Sequence, residues 1–90
     1  MTTTIPRQHR VREPIVVAAT QHDFFPRIFV WRGQRHDVQS VEACRTEVRR
    51  GWRGEAARHI FTVRARGALF QLSQDVSRGT WELDSIQPSG

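Results

Sequence analysis

The single thiol, Cys44, and the four histidines at 9, 22, 36 and 59 are the residue types that could carry nucleophilic chemistry, since a nucleophile needs a base beside it. Sequence distance does not exclude a pair, but a simpler reading is much stronger. Cys44 lies between Val41 and Val48, an apolar neighbourhood that reads as a buried, inert thiol. No Cys/His spacing matches a zinc site, and one cysteine cannot close an intramolecular disulfide, which suits a reducing compartment. Asp23, Asp37, Asp75 and Asp84 could supply paired carboxylates for acid–base work, but each has a simpler role. Asp75 directly precedes a turn, where its side chain can accept a backbone N–H, and Asp23 lies in a loop that ends at Pro26. No glycine-rich phosphate loop stands between a strand and a helix. The expectation is a protein that is not an enzyme, with no cofactor and no metal.

Binding chemistry has more material. Every one of the 14 basic residues is Arg, against nine acids. A GC-rich genome replaces Lys by Arg throughout, so position says more than type. Between Arg45 and Arg66 there are seven Arg (45, 49, 50, 53, 58, 64, 66) against Glu47 and Glu55, so the entire net charge of +5 resides in this segment. Within it Arg45, Arg49, Arg50, Arg53 and Arg58 surround Trp52. An exposed aromatic among guanidinium groups can stack a base while the charges meet phosphates. Arg32 and Arg35, flanking Gly33-Gln34 after Trp31, form a second candidate. The competing reading is a set of solvated Arg loops with all three Trp in the core. Trp31 and Trp81 fit an inward register, whereas for Trp52 both readings stand open.

The elements that must position these residues read as strands. Ile15–Thr20 is rich in β-branched residues, behind Pro14, which a strand start tolerates. Residues 27–32 and 35–38 form a hairpin across Gly33-Gln34 as a type II′ turn, which pairs Arg32 with Arg35, Trp31 with His36 and Phe29 with Val38. From Val41 a bent strand reaches Glu47, and residues 49–55, with two Gly and dense charge, read as a loop. Across an Arg66-Gly67 turn Ala65 meets Ala68, Val63 meets Phe70 and Phe61 meets Leu72, all apolar on one face. On that face Leu72 should then lie opposite Leu83, and Gln74 opposite Trp81. The expected fold is all-β, a small antiparallel barrel or sandwich of about six short strands. Residues 1–13 read as a mobile N-terminal tail, 14–87 as a single β domain and 88–90 as a C-terminal tail.

Phe29-Val30-Trp31-Arg32-Gly33, Val38 and Val41, Phe61-Thr62-Val63-Arg64, Leu72 with Asp75, and Trp81-Glu82-Leu83 together carry a resemblance over residues 24–86. The pattern resembles a small bacterial β domain of unknown function that occurs alone or at the C-terminal end of proteins similar to Y-family DNA polymerases. A further Trp often stands near the end of the third strand in that family, where this chain has Cys44-Arg45. The resemblance implies a context of DNA damage tolerance and no residue roles.

The functional expectation is a binding module that contacts DNA or a DNA-bound protein complex through Arg32, Arg35, Arg45, Arg49, Arg50, Trp52 and Arg53. The alternative is a protein–protein interaction module that uses a sheet edge or the Phe24-Phe25-Pro26 loop. No apolar run is long enough to span a bilayer and no secretory signal opens the chain, so the expected location is the cytoplasm and no membrane partner is expected.

Overall fold

Alternating apolar and polar residues broken by glycine turns leave the chain one way to bury its apolar side, which is to pair strand against strand and fold the sheet over. The computed structural model describes residues 9–88. They form seven strands: β1 (His9–Gln21), β2 (Phe25–Trp31), β3 (Gln34–Asp37), β4 (Ser40–Gly51), β5 (Gly54–Ala65), β6 (Ala68–Asp75) and β7 (Trp81–Pro88). All pair antiparallel in one sheet of order β3-β2-β1-β7-β6-β5-β4, so β3 and β4 are its edges. There is no helix among the described residues.

The sheet coils so that β2 and β3 cover β5, β6 and β7. Phe61, Val63, Ala65, Leu72 and Leu83 are fully buried, and Phe29 reaches them from β2. Phe29 meets Phe70 at 5.3 Å between ring centroids, and Phe24 and Phe25 meet Phe61 at 5.1 and 6.2 Å, the edge-on geometry aromatic rings prefer. Burial of each large side chain stabilises by about 1.5–3 kcal/mol.

The β5–β6 pairs Ala65/Ala68, Val63/Phe70 and Phe61/Leu72 and the β6–β7 pairs Leu72/Leu83 and Gln74/Trp81 form as the sequence predicts. Asp75 caps the last turn, its Oδ1 accepting from the N–H groups of Ser77 at 3.0 Å and Arg78 at 2.8 Å. Those hydrogen bonds, that from Arg78 first, hold its carboxyl below the usual range.

Other expectations are corrected. The β2–β3 turn is Arg32-Gly33, with φ of 51° and 75°, a type I′ geometry; Trp31 pairs with Gln34 and Phe29 with His36. The shift leaves Phe29, Trp31, His36 and Val38 on one side. The strand from Ser40 continues through the expected loop to Gly51 and returns from Gly54, so residues 49–55 are mostly paired backbone. Of the expected N-terminal tail, residues 9–13 belong to β1 and residues 1–8 lie outside the described residues. Pro88 ends β7, and 89–90 likewise lie outside.

Candidate functional site

Residues of β4 and β5 pair with each other from Ser40/Arg64 to Gly51/Gly54, but β6 accompanies β5 only as far as the Arg58/Asp75 pair. Residues 48–57, tied to the β6–β7 turn by the Val76 N–H that the Ala57 carbonyl accepts at 3.0 Å, therefore extend past the rest of the sheet as a two-stranded ribbon. Its tip is Trp52-Arg53, and Trp52 is 90% exposed. For so large an apolar ring that exposure is the informative observation. The Arg53 guanidinium lies over the indole, 4.8 Å from its centroid, and holds the ring's orientation by a cation–π contact. Trp52 is thus outside the core.

Strand alternation divides the charges of the ribbon between two faces. Arg45, Glu47 and Arg49 share one face with Arg58, and Arg50 with Glu55 lies on the other. Arg45 and Arg58 both pair with Glu47, at 3.3 and 3.5 Å, and Arg50 pairs with Glu55 at 2.9 Å. Among the described residues Arg49 and Arg53 have no carboxylate within 4.0 Å. Arg53 is engaged only with the Trp52 ring, so among the described residues Arg49 and Arg53 are the ribbon's guanidinium groups outside any ion pair.

Arg32 and Arg35 do not join them. The guanidinium of Arg66, in the turn just past the end of β5, donates to the Arg35 carbonyl at 2.7 Å, so the β2–β3 tip sits beside the β5–β6 turn. Trp52 lies at the opposite end of β5, whose 12 residues span about 36 Å at roughly 3.3 Å each. Arg32 is also committed: its Nε donates to Glu13 at 3.0 Å, beside a 2.9 Å bond from the Trp31 indole to the same carboxylate. These bonds, that from Arg32 first, hold the Glu13 carboxyl below its usual range. Trp31 and Trp81 are half-buried against the core rather than enclosed in it. Arg35 pairs with Asp37 at 3.0 Å.

Two other expectations change. Cys44 faces the same side as its partner Phe61 but is exposed, because it lines an open cleft of about 410 Å³ between Phe25-Arg27 and the first half of β4. Partial desolvation raises its thiol pKa, so it is a poor nucleophile despite its exposure. Phe24 and Phe25 turn inward on Phe61 and His59 and offer no projecting anchor.

A second cluster escaped the sequence reading. On the face opposite the core, Arg10, Arg12, Arg49 and Arg58 converge with Glu82 and Asp84 around an open groove of about 490 Å³. Arg10 and Arg12 fall in the expected tail, and Arg12 enters the groove through a bulge. Arg10 pairs with Ser85 and Glu13 with Leu83, so Val11 and Arg12 together oppose Asp84. Arg12 carries a φ of 55°, a strained value for this residue type. Val11 packs against the core while its two Arg neighbours line the groove. On β7, burial first, then the hydrogen bond and charge of Asp84, push the Glu82 carboxyl up, and Arg58 and Arg12 oppose the rise. The legible signal was Glu82-x-Asp84, two acids on one face of a strand.

A coiled, single-sheet all-β domain with a projecting basic ribbon and a charged groove is the class these features define. The chain belongs to a family described as a domain of unknown function, DUF6504, whose model matches residues 1–87. No curated protein and no solved structure matches the chain.

Proposed function

We propose that this domain is a non-enzymatic binding module that contacts single-stranded nucleic acid through the β4–β5 ribbon. The observation that carries the reading is Trp52, 90% exposed at the ribbon tip with Arg53 stacked on it and Arg49 uncommitted behind it. Every base has a π-face for an indole, and a guanidinium without a carboxylate is free to meet a phosphate. The resemblance to a domain carried by Y-family polymerase-like proteins supports a setting in DNA damage tolerance, and the single cysteine suits a reducing compartment such as the cytoplasm. Arg32 and Arg35, about 36 Å away along β5, belong to a separate surface.

Titration of labelled single- and double-stranded DNA at two ionic strengths tests the reading. Single strands should bind the more tightly, affinity should fall as salt rises, and Trp52→Ala should weaken binding by about tenfold or more. Absence of binding to either DNA at low salt would overturn direct contact.

One observation favours the alternative, a protein-interaction module without nucleic-acid contact. The outer edge of β4 presents 12 residues of strand with no neighbouring strand among the described residues, a template to which an extended segment of a partner can add. Binding of a protein partner that survives high salt, blocked by proline at alternate β4 positions, supports that reading.

A further inference from the structure

We propose that the groove between β1, β7 and the base of the ribbon is a binding site for a small ligand that carries both a phosphate monoester and hydrogen-bond donors, such as a nucleoside monophosphate. The proposal stands apart from the ribbon reading, with which it shares only Arg49.

Four guanidinium groups from three strands line one groove of about 490 Å³, a size within the range of small-molecule sites. Of the four, among the described residues only Arg58 has a carboxylate within 4.0 Å, and that partner, Glu47, lies on β4 just below the ribbon. Arg10, Arg12 and Arg49 have none among the described residues. Four guanidinium groups against the carboxylates of Glu82 and Asp84 leave the groove a formal excess of two positive charges, which an anion would offset. A phosphate monoester fits best, since its oxygens accept paired N–H groups from two or more guanidinium forks at once. The backbone bears a strain that serves this arrangement. The bulge and the φ of 55° at Arg12 bring both Arg10 and Arg12 to the groove although Val11 between them packs into the core.

The two carboxylates say what else the ligand brings. Asp84 Oδ1 accepts from the Ser73 hydroxyl at 2.9 Å, and Asp84 also shares a hydrogen bond with Glu82, whose protonated form is the donor. Asp84 and Glu82 both line the groove, beside the Gln71 amide. They would repel a bare anion, so a purely anionic ligand is disfavoured. A molecule with phosphate at the Arg end and hydroxyl or amino groups toward β7 satisfies both halves.

Isotope-labelled full chain titrated with adenosine monophosphate, ribose 5-phosphate, inorganic phosphate and adenosine, followed by NMR, tests the proposal. Adenosine monophosphate should shift the side-chain signals of Arg10, Arg12 and Arg58 and the amides of Asp84 and Ser85, and should bind more tightly than inorganic phosphate or adenosine. Arg12→Gln should weaken it by about tenfold or more. Should that variant lose the native spectrum, Arg58→Gln takes its place with the same expectation. Trp52→Ala should leave this binding unchanged, which separates the outcome from the ribbon's. No shift at millimolar nucleotide, equal affinity for adenosine, equal affinity for inorganic phosphate, or full affinity in a folded Arg12→Gln or Arg58→Gln protein would each overturn the assignment.

Discussion

The His36 imidazole stacks on the Phe29 ring, centroids 4.8 Å apart and planes within 6° of parallel, with the Phe70 ring edge-on at 5.2 Å between centroids. His36 is 4% exposed, and neither ring nitrogen has a protein hydrogen-bond partner among the described residues. Burial, followed by the charge of Arg66, lowers its pKa below 6.5, so the fold holds it neutral.

A base held neutral in the folded state destabilises the fold when it must be protonated. Its folded pKa is depressed, so the native state is fully favoured above the ordinary value of 6.5 and loses stability as pH falls below it toward the folded value. His36→Phe removes two unmet polar atoms from an aromatic stack and should stabilise by about 1 kcal/mol at neutral pH. The advantage should widen at pH 5.5. Urea unfolding of both proteins at the two pH values checks it; a narrowing gap on acidification would contradict the assignment.

Phe24 is structural. It lies 4.9 Å from Phe25, 5.0 Å from His59 and 5.1 Å from Phe61, all edge-on. Phe24→Ala should cost about 2 kcal/mol, less than the 3–5 kcal/mol of a fully buried Phe because the ring is only partly enclosed. Equilibrium unfolding measures it, and an unchanged midpoint would return this loop to the list of exposed anchors.

These two cases show which features a one-dimensional reading reaches. The β5–β6–β7 registers were legible because Phe61, Val63, Phe70, Leu72 and Leu83 alternate on one face and a glycine turn fixes the pairing. At Arg32-Gly33 the glycine gave the turn but not its position, since Gly suits either central residue of a primed turn. The ribbon read as a loop because both its faces are wet, so nothing apolar alternates and backbone pairing alone forms it. Trp52 and its Arg neighbours were visible as a group, but strand alternation separates Arg49 from Arg50, and the length of β5 separates all of them from Arg32 and Arg35. The groove was hidden more deeply. Its residues come from five strands, and the bulge that admits Arg12 has no signature in residue type.

Gly54 closes the ribbon with a φ of 112°, where a side chain is strained although open space surrounds it. Gly54→Ala should therefore cost about 1–3 kcal/mol locally, and because residues 48–57 stand outside the core it should loosen the ribbon before the sheet. Hydrogen exchange should accelerate at the amides of 49–56 and remain slow at Phe61 and Leu72. If the ribbon carries nucleic acid, single-strand affinity should drop in parallel. Uniform loss of protection across the sheet would show that the ribbon is part of the folding core.

Glu82 supplies the opposite sign from His36's neutral base. Desolvation, then the adjoining Asp84, raise its pKa above the ordinary carboxylate value of 4.5, against the pull of Arg58 and Arg12. The protonated form is favoured by folding, so its contribution is fully present below 4.5 and fades as pH rises through the folded value. Glu82→Gln keeps the shape and a donor toward Asp84 without the charge, and should raise the melting temperature at pH 7.5 while making little difference at pH 4. Thermal unfolding of both proteins across that range checks the sign. The same variant in the presence of adenosine monophosphate separates two contributions of the carboxylate: tighter binding would show repulsion of the phosphate to dominate, and weaker binding would show that Glu82 receives a donor from the ligand, as the groove's chemistry requires.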